Sequence, residues 1–104
     1  MQLIESLQSL GLNEKQAKVY IALLSLGRAS AYVVAEKSGL KKPTTYVILG
    51  ELVLKGLVAK VPRMRKQLFV ARSPEEFFAL AEERLRAAKQ ALPELMAMAT
   101  GERP

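Results

Sequence analysis

Lys41 and Lys42 are followed at once by Pro43, Thr44 and Thr45. Proline suits the first turn of a helix, where its missing N–H costs nothing. Two cations and two small hydroxyls thus gather where backbone amides are free and the helix dipole is positive. Such groups bond phosphate oxygens or the edges of bases. A second cluster, Arg63-Met64-Arg65-Lys66, holds three cations and no acid. Neither cluster carries a group for proton transfer near neutral pH. The chain has no histidine and no cysteine, so it lacks the usual general base, the commonest metal ligand, thiolate zinc sites and disulfides. With no glycine-rich phosphate loop and no metal-ligand spacing, the expectation is a binding protein without cofactor or metal, not an enzyme.

The charge distribution says what would be bound. The net charge of +6 is not spread evenly over the 104 residues. Residues 1–27 are neutral, with Lys15 and Lys18 against Glu5 and Glu14. Residues 28–72 hold ten Lys and Arg against Glu36 and Glu51, a net +8, and residues 73–104 hold four against six acids, a net −2. A basic surface kept only for solubility has no reason to partition in this way, whereas a polyanion footprint has.

The elements that must position these clusters follow from periodicity and caps. Leu3, Ile4, Leu7 and Leu10 share a face of a first helix that Gly11 stops. Asn13 caps a second helix, Gln16 completes a capping box, and Ala17, Tyr20, Ile21 and Leu24 form its apolar face up to Gly27. Arg28-Ala29 is long enough for one bridge of a strand. Ser30 caps a helix over 31–38, and Gly39 supplies the turn before the helix that runs from Pro43 to Lys55 with Gly56 as its stop. This is the layout of a helix-turn-helix. Ile48, Leu49, Leu52 and Thr45 are the expected core face of the last helix, which leaves Val47 and Leu54 partly exposed. Leu57–Val61 and Gln67–Ala71 read as strands on either side of the basic loop 62–66, a hairpin placed as a wing.

Ser73-Pro74-Glu75-Glu76 opens a long helix with an N-cap, an N1 proline and a capping box. Phe78, Ala81, Leu85, Ala88, Leu92, Leu95 and Ala99 recur at spacings of 3 and 4, a heptad seam suited to a second copy of the chain. Pro93 has no N–H to donate, so a kink or restart is expected near Leu92. Residues 100–104 read as a frayed tail. The expected organisation is a domain over 1–72 and a dimerisation helix over 73–104.

Four blocks carry a family resemblance: Leu10-Gly11-Leu12-Asn13-Glu14-Lys15-Gln16-Ala17-Lys18-Val19-Tyr20, Ala35-Glu36-Lys37-Ser38-Gly39-Leu40, Lys55-Gly56-Leu57-Val58 and Ser73-Pro74-Glu75-Glu76. With them the chain resembles the N-terminal winged-helix domain of TrmB-type transcriptional regulators. The Gly-Leu-x-x-x-x-Ala-x-x-Tyr pattern in the first block is the most specific part. The resemblance implies a mainly α fold with a small β-hairpin, a winged helix-turn-helix that binds double-stranded DNA as a homodimer. Carried over residue by residue, it places Lys41, Lys42, Thr44, Thr45 and Val47 at the major groove and Arg63, Arg65 and Lys66 on the wing. Val47 and Gly50 stand where such helices usually carry polar side chains, which shifts base reading toward the first turn. Larger family members continue into a sugar-binding effector domain past the point where this chain ends, so effector sensing is not implied.

No apolar run approaches the ~20 residues that span a bilayer, and Met1–Ser6 lacks the features of a signal peptide, so a cytoplasmic location is expected. Two rival readings follow from the apolar middle of the helix 43–55. One is a winged helix that binds protein through Val47, Val53 and Leu54. The other is an architectural DNA binder with little sequence preference.

Overall fold

A computed structural model describes residues 2–62 and 65–101. Contacts divide the chain into two units, Met1–Ser73 and Pro74–Pro104. The first holds α1 (Gln2–Ser9), α2 (Glu14–Leu26), β1 (Arg28–Ala29), α3 (Ala31–Ser38), α4 (Lys42–Leu54), β2 (Val58–Pro62) and β3 (Gln67–Ala71). Relative to the sequence reading, α4 starts one residue earlier and β2 is displaced by one. The fold is a winged helix with a long C-terminal helical segment.

The second helix, α2, is the hub. Its start is held by the capping box: the Gln16 amide donates to Asn13 Oδ1 at 2.8 Å and the Asn13 amide to Gln16 Oε1 at 3.0 Å. It packs on α1, α3, α4, β1 and β3, while Glu14, Lys15, Lys18, Leu24 and Ser25 stay exposed. That corrects its expected apolar face. Ala17 and Tyr20 are buried, but Val19 and Leu23 are sealed while Ile21 is half-buried and Leu24 exposed. The inward stripe is Gln16, Val19, Tyr20 and Leu23, one residue and so about 100° round from the expected face. The first helix, α1, departs in the other direction: of its four expected core residues only Leu7 is buried, and Leu3 is exposed.

Around this hub, Val34, Ala35, Ile48, Leu49 and Leu52 fill the junction of α2, α3 and α4. Each large aliphatic group buried there contributes about 1.5–3 kcal/mol before entropy is counted. The Tyr20 hydroxyl donates to the Arg72 carbonyl at 2.7 Å, a bond worth about 1 kcal/mol that ties α2 to the chain leaving β3.

Two turns set the direction of α4. Gly39 adopts φ 79 and ψ 13, the left-handed conformation that ends α3, and its amide donates to the Ala35 carbonyl. A side chain there would strain the backbone. At the far end Leu57 N–H reaches the Leu52 carbonyl and Gly56 N–H the Val53 carbonyl, with Gly56 at φ 81. This is a Schellman close, and it delivers the chain directly into β2.

The antiparallel sheet has the order β1-β3-β2. The hairpin pairs Val58 with Ala71 and closes with Pro62 opposite Gln67, next to Arg65 and Lys66. Proline is tolerated there because β2 is an edge strand. Arg63 and Met64 lie outside the described residues, as do 102–104 of the expected frayed tail.

The second unit comprises α5 (Pro74–Ala88), one 3-10 turn (Lys89–Ala91) and α6 (Leu92–Gly101). The turn has a local cause. Pro93 has no amide to offer the Lys89 carbonyl, and Leu92 N–H closes on that carbonyl instead, at 3-10 spacing. No helix among the described residues is long and apolar enough to cross a membrane.

Candidate nucleic-acid interface

Helix α4 turns one side into the core and the other outward. Thr45, Ile48, Leu49 and Leu52 are buried, while Pro43, Tyr46, Val47, Glu51 and Leu54 are exposed. At ~100° per residue, Gly50 falls between Tyr46 and Val47, about 40° round from the first and about 60° from the second. Leu54 lies on the same side. The middle of the outward face is therefore Tyr46, Val47, Gly50 and Leu54, with no amide or cation among them. Glu51 sits at its margin, and Gln16 Nε2 donates to its carboxylate at 2.9 Å.

The first turn is different. Lys41 and Lys42 are exposed, and no side chain caps the helix. Thr44 is half-buried at the rim. Thr45, expected on the core face from periodicity and at the major groove from the resemblance, points inward: it is fully buried and its hydroxyl donates to the Lys41 carbonyl at 2.9 Å. Periodicity explains this, because Thr45 shares the side of the helix that carries Leu49 and Leu52. Its bond locks the first turn and leaves nothing to offer a ligand.

A tyrosine that the sequence reading did not single out joins this surface. Lys42 Nζ lies 3.8 Å from the centroid of the Tyr32 ring, a cation–π contact that steers the ammonium across the helix-turn-helix. The Tyr32 hydroxyl bonds to the Glu36 carboxylate, and that bond, the negative charge of Glu36 and slight desolvation together hold the phenol above its ordinary value of 10.0. The ring thus stays uncharged at neutral pH, compatible with an anion alongside. Tyr46 is the other exposed aromatic that was not placed in the site. For Tyr46 the available signal was its place one turn after Lys42; for Tyr32, on α3, the sequence offered none.

On the wing, Arg65 and Lys66 are exposed beside the hairpin tip, and Lys60 is exposed on β2, the strand packed on α4. Arg28, Lys37 and Arg72 are exposed as well. In the same 28–72 stretch the acids are Glu36 and Glu51, and both carboxylates bond polar neighbours. The arrangement suits a polyanion, with hydrogen-bonding groups at the start of α4 and an apolar surface along its middle.

Gly50 is unexplained by the fold. Inside a helix, glycine costs about 0.5–1 kcal/mol relative to alanine. A Cβ built there meets nothing within 4 Å, and its backbone does not need a glycine.

In the second unit, Phe78, Leu85, Leu92 and Leu95 of the heptad are exposed by half or more. Ala81 is half-buried and Ala88 exposed. Met96 and Met98, outside the expected seam, widen this apolar surface along α6.

Residues 7–75 match the family described as "Sugar-specific transcriptional regulator TrmB". The uncharacterized protein YrhO of Bacillus subtilis (strain 168) is 35% identical over 54 residues, which is 52% of this chain and 20% of that protein. Among solved structures, TrmBL2, described as an archaeal chromatin protein with a novel mode of DNA binding, is similar with a TM-score of 0.70 and 26% identity. That similarity covers 96% of this chain and 42% of TrmBL2, so the chain spans less than half of either relative. A MarR family transcriptional regulator from Silicibacter pomeroyi shares the fold, with a TM-score of 0.60, 19% identity, and coverage of 99% of this chain and 67% of the other.

Proposed function

The chain belongs to the TrmB family of transcriptional regulators, and from that premise we propose that it binds double-stranded DNA as a homodimer, with α4 in the major groove. The observation that carries this reading is the first turn of α4. Its exposed lysines and uncapped amides sit beside an outward helix face, inside the one stretch of the chain with a net charge of +8.

Contacts divide by chemistry. Lys41 and Lys42 meet phosphates, with Tyr32 directing the Lys42 ammonium; Thr44 is the polar group placed to touch a base edge. Arg63, Arg65 and Lys66 track the backbone or minor groove from the wing. Phosphate contacts supply most of the affinity, and α4 the preference among sequences. Phe78, Ala81, Leu85, Ala88, Leu92 and Leu95 pair two copies, so that two recognition helices meet half-sites about one helical turn apart.

Selection of bound duplexes from a random pool tests this reading. The expected result is an enriched inverted repeat, and Thr44→Ala should redistribute preference within each half-site while total affinity falls by less than about tenfold. No enrichment by wild type would reject sequence-specific regulation by this chain.

One observation favours a second reading. The middle of the outward face has one hydroxyl, that of Tyr46, and no amide or charged side chain, and TrmBL2 is described as a chromatin protein. An architectural binder would retain all duplexes alike, and the same selection would then return the input pool.

A further inference from the structure

We propose that the Tyr46–Val47–Gly50 surface of α4 reads the 5-methyl group of thymine in the major groove, with Gly50 the point of closest approach; this rests on the DNA-binding reading above.

Three observations converge on it. The outward middle of α4 is apolar or bare backbone but for the Tyr46 hydroxyl: Tyr46 and Val47 are exposed by 60% and 62%, with Leu54 beyond them at 88%. In the major groove every base edge presents hydrogen-bonding groups, and the thymine methyl is the one apolar feature. A face whose one hydrogen-bonding side-chain group is the Tyr46 hydroxyl at the end of its ring therefore discriminates in the groove mainly by contact with that methyl, and by leaving polar edges unpaired elsewhere.

Gly50 is the second observation. It breaks the local preference for a helix former, yet no neighbour in the fold crowds its missing side chain. A local rule broken without gain inside the fold points to a constraint from outside it. Between Tyr46 and Val47, the absent Cβ leaves a notch in the centre of the exposed face. Such a notch lets the helix backbone come close to a base edge, with the ring of Tyr46 and the branched methyls of Val47 on either side.

The third observation selects the occupant. An apolar helix face fits a protein partner as well as a groove, but this one starts at Lys41 and Lys42 and packs beside a strand carrying Lys60. The surrounding cations favour a polyanion over an apolar protein surface.

The experiment compares three pools of random duplex copied with different pyrimidines: thymine, uracil in place of thymine, and uracil with 5-methylcytosine in place of cytosine. Wild type should bind the uracil pool about fourfold more weakly per methyl contact, the fold-change equivalent of one buried methyl group. 5-Methylcytosine should recover part of that loss. Val47→Ser should bind the thymine and uracil pools alike. Gly50→Ala should lose about tenfold or more on the thymine pool while its melting temperature equals or exceeds that of wild type. Equal wild-type affinity for thymine and uracil pools would overturn methyl reading. Wild-type affinity in Gly50→Ala would overturn the close approach. If wild type bound no pool even at low salt, the DNA-binding reading itself would fall, an outcome distinct from the other two.

Discussion

Leu85→Glu is expected to leave the chain monomeric at concentrations where the wild type sediments as a dimer. Leu85 is 58% exposed, midway along a stripe in which Phe78, Leu92 and Leu95 are also at least half exposed. A single helix as short as α5 or α6 is marginal in water unless its apolar face is covered. Covering it with a second copy restores about 1.5–3 kcal/mol for each fully buried large side chain. In a two-fold seam the substitution acts twice. It removes two buried leucines and brings in two carboxylates whose desolvation costs several kcal/mol each. The combined loss weakens dimerisation by about a thousandfold or more, since each 1.4 kcal/mol is a factor of ten. Binding to a two-half-site duplex should fall with it, because joining the two modules is what raises their effective concentration. Sedimentation velocity of both proteins checks the first effect, and a monomeric wild type would remove the seam from the account.

The second large effect is expected at the wing. Replacing Arg63, Arg65 and Lys66 together with alanine should weaken binding to every duplex, selected or random. Arg65 and Lys66 are exposed next to the closing pair Pro62–Gln67, so neither contributes to a core and the fold should keep its melting temperature. Each lost phosphate contact lowers the magnitude of the log–log salt slope by about 0.9, so the triple variant should shift it by about 2 to 3 for each engaged wing. A uniform loss with a flatter slope identifies backbone contacts. A loss confined to selected sites would instead identify base reading by the wing, and an unchanged slope would remove it from the interface.

What the sequence made legible was mostly local chemistry. Asn13 with Gln16, Ser30, Gly39 and Gly56 act within four residues of themselves, and all four end or begin helices as their types require. The hairpin followed from two short, mostly apolar runs on either side of a basic stretch. The side of α2 that faces inward was not local. Five other elements pack on that helix, and they cover the stripe Gln16, Val19, Tyr20 and Leu23, one residue round from the expected face, while Leu24 is left out. Thr45 shows the reverse at the site itself. Periodicity put it on the core face and the family resemblance put it at the groove; it is buried, and its hydroxyl donates to the Lys41 carbonyl. The Tyr32–Lys42 contact joins residues on two helices and depends on how those helices cross, which spacing alone does not encode. Gly50 was visible as an oddity in the sequence. Only the empty space around it showed that the fold does not ask for it.

The central claim is that this chain is a DNA-binding protein whose 28–72 surface engages phosphates. Equilibrium binding of the wild type to random-sequence duplex over a salt series tests it most directly. With Lys41, Lys42, Arg65 and Lys66 each releasing about one counterion, the account predicts a linear log–log plot with a slope of about −4 or steeper for each engaged subunit. Absence of binding at the lowest salt, or binding that ignores salt, would contradict it.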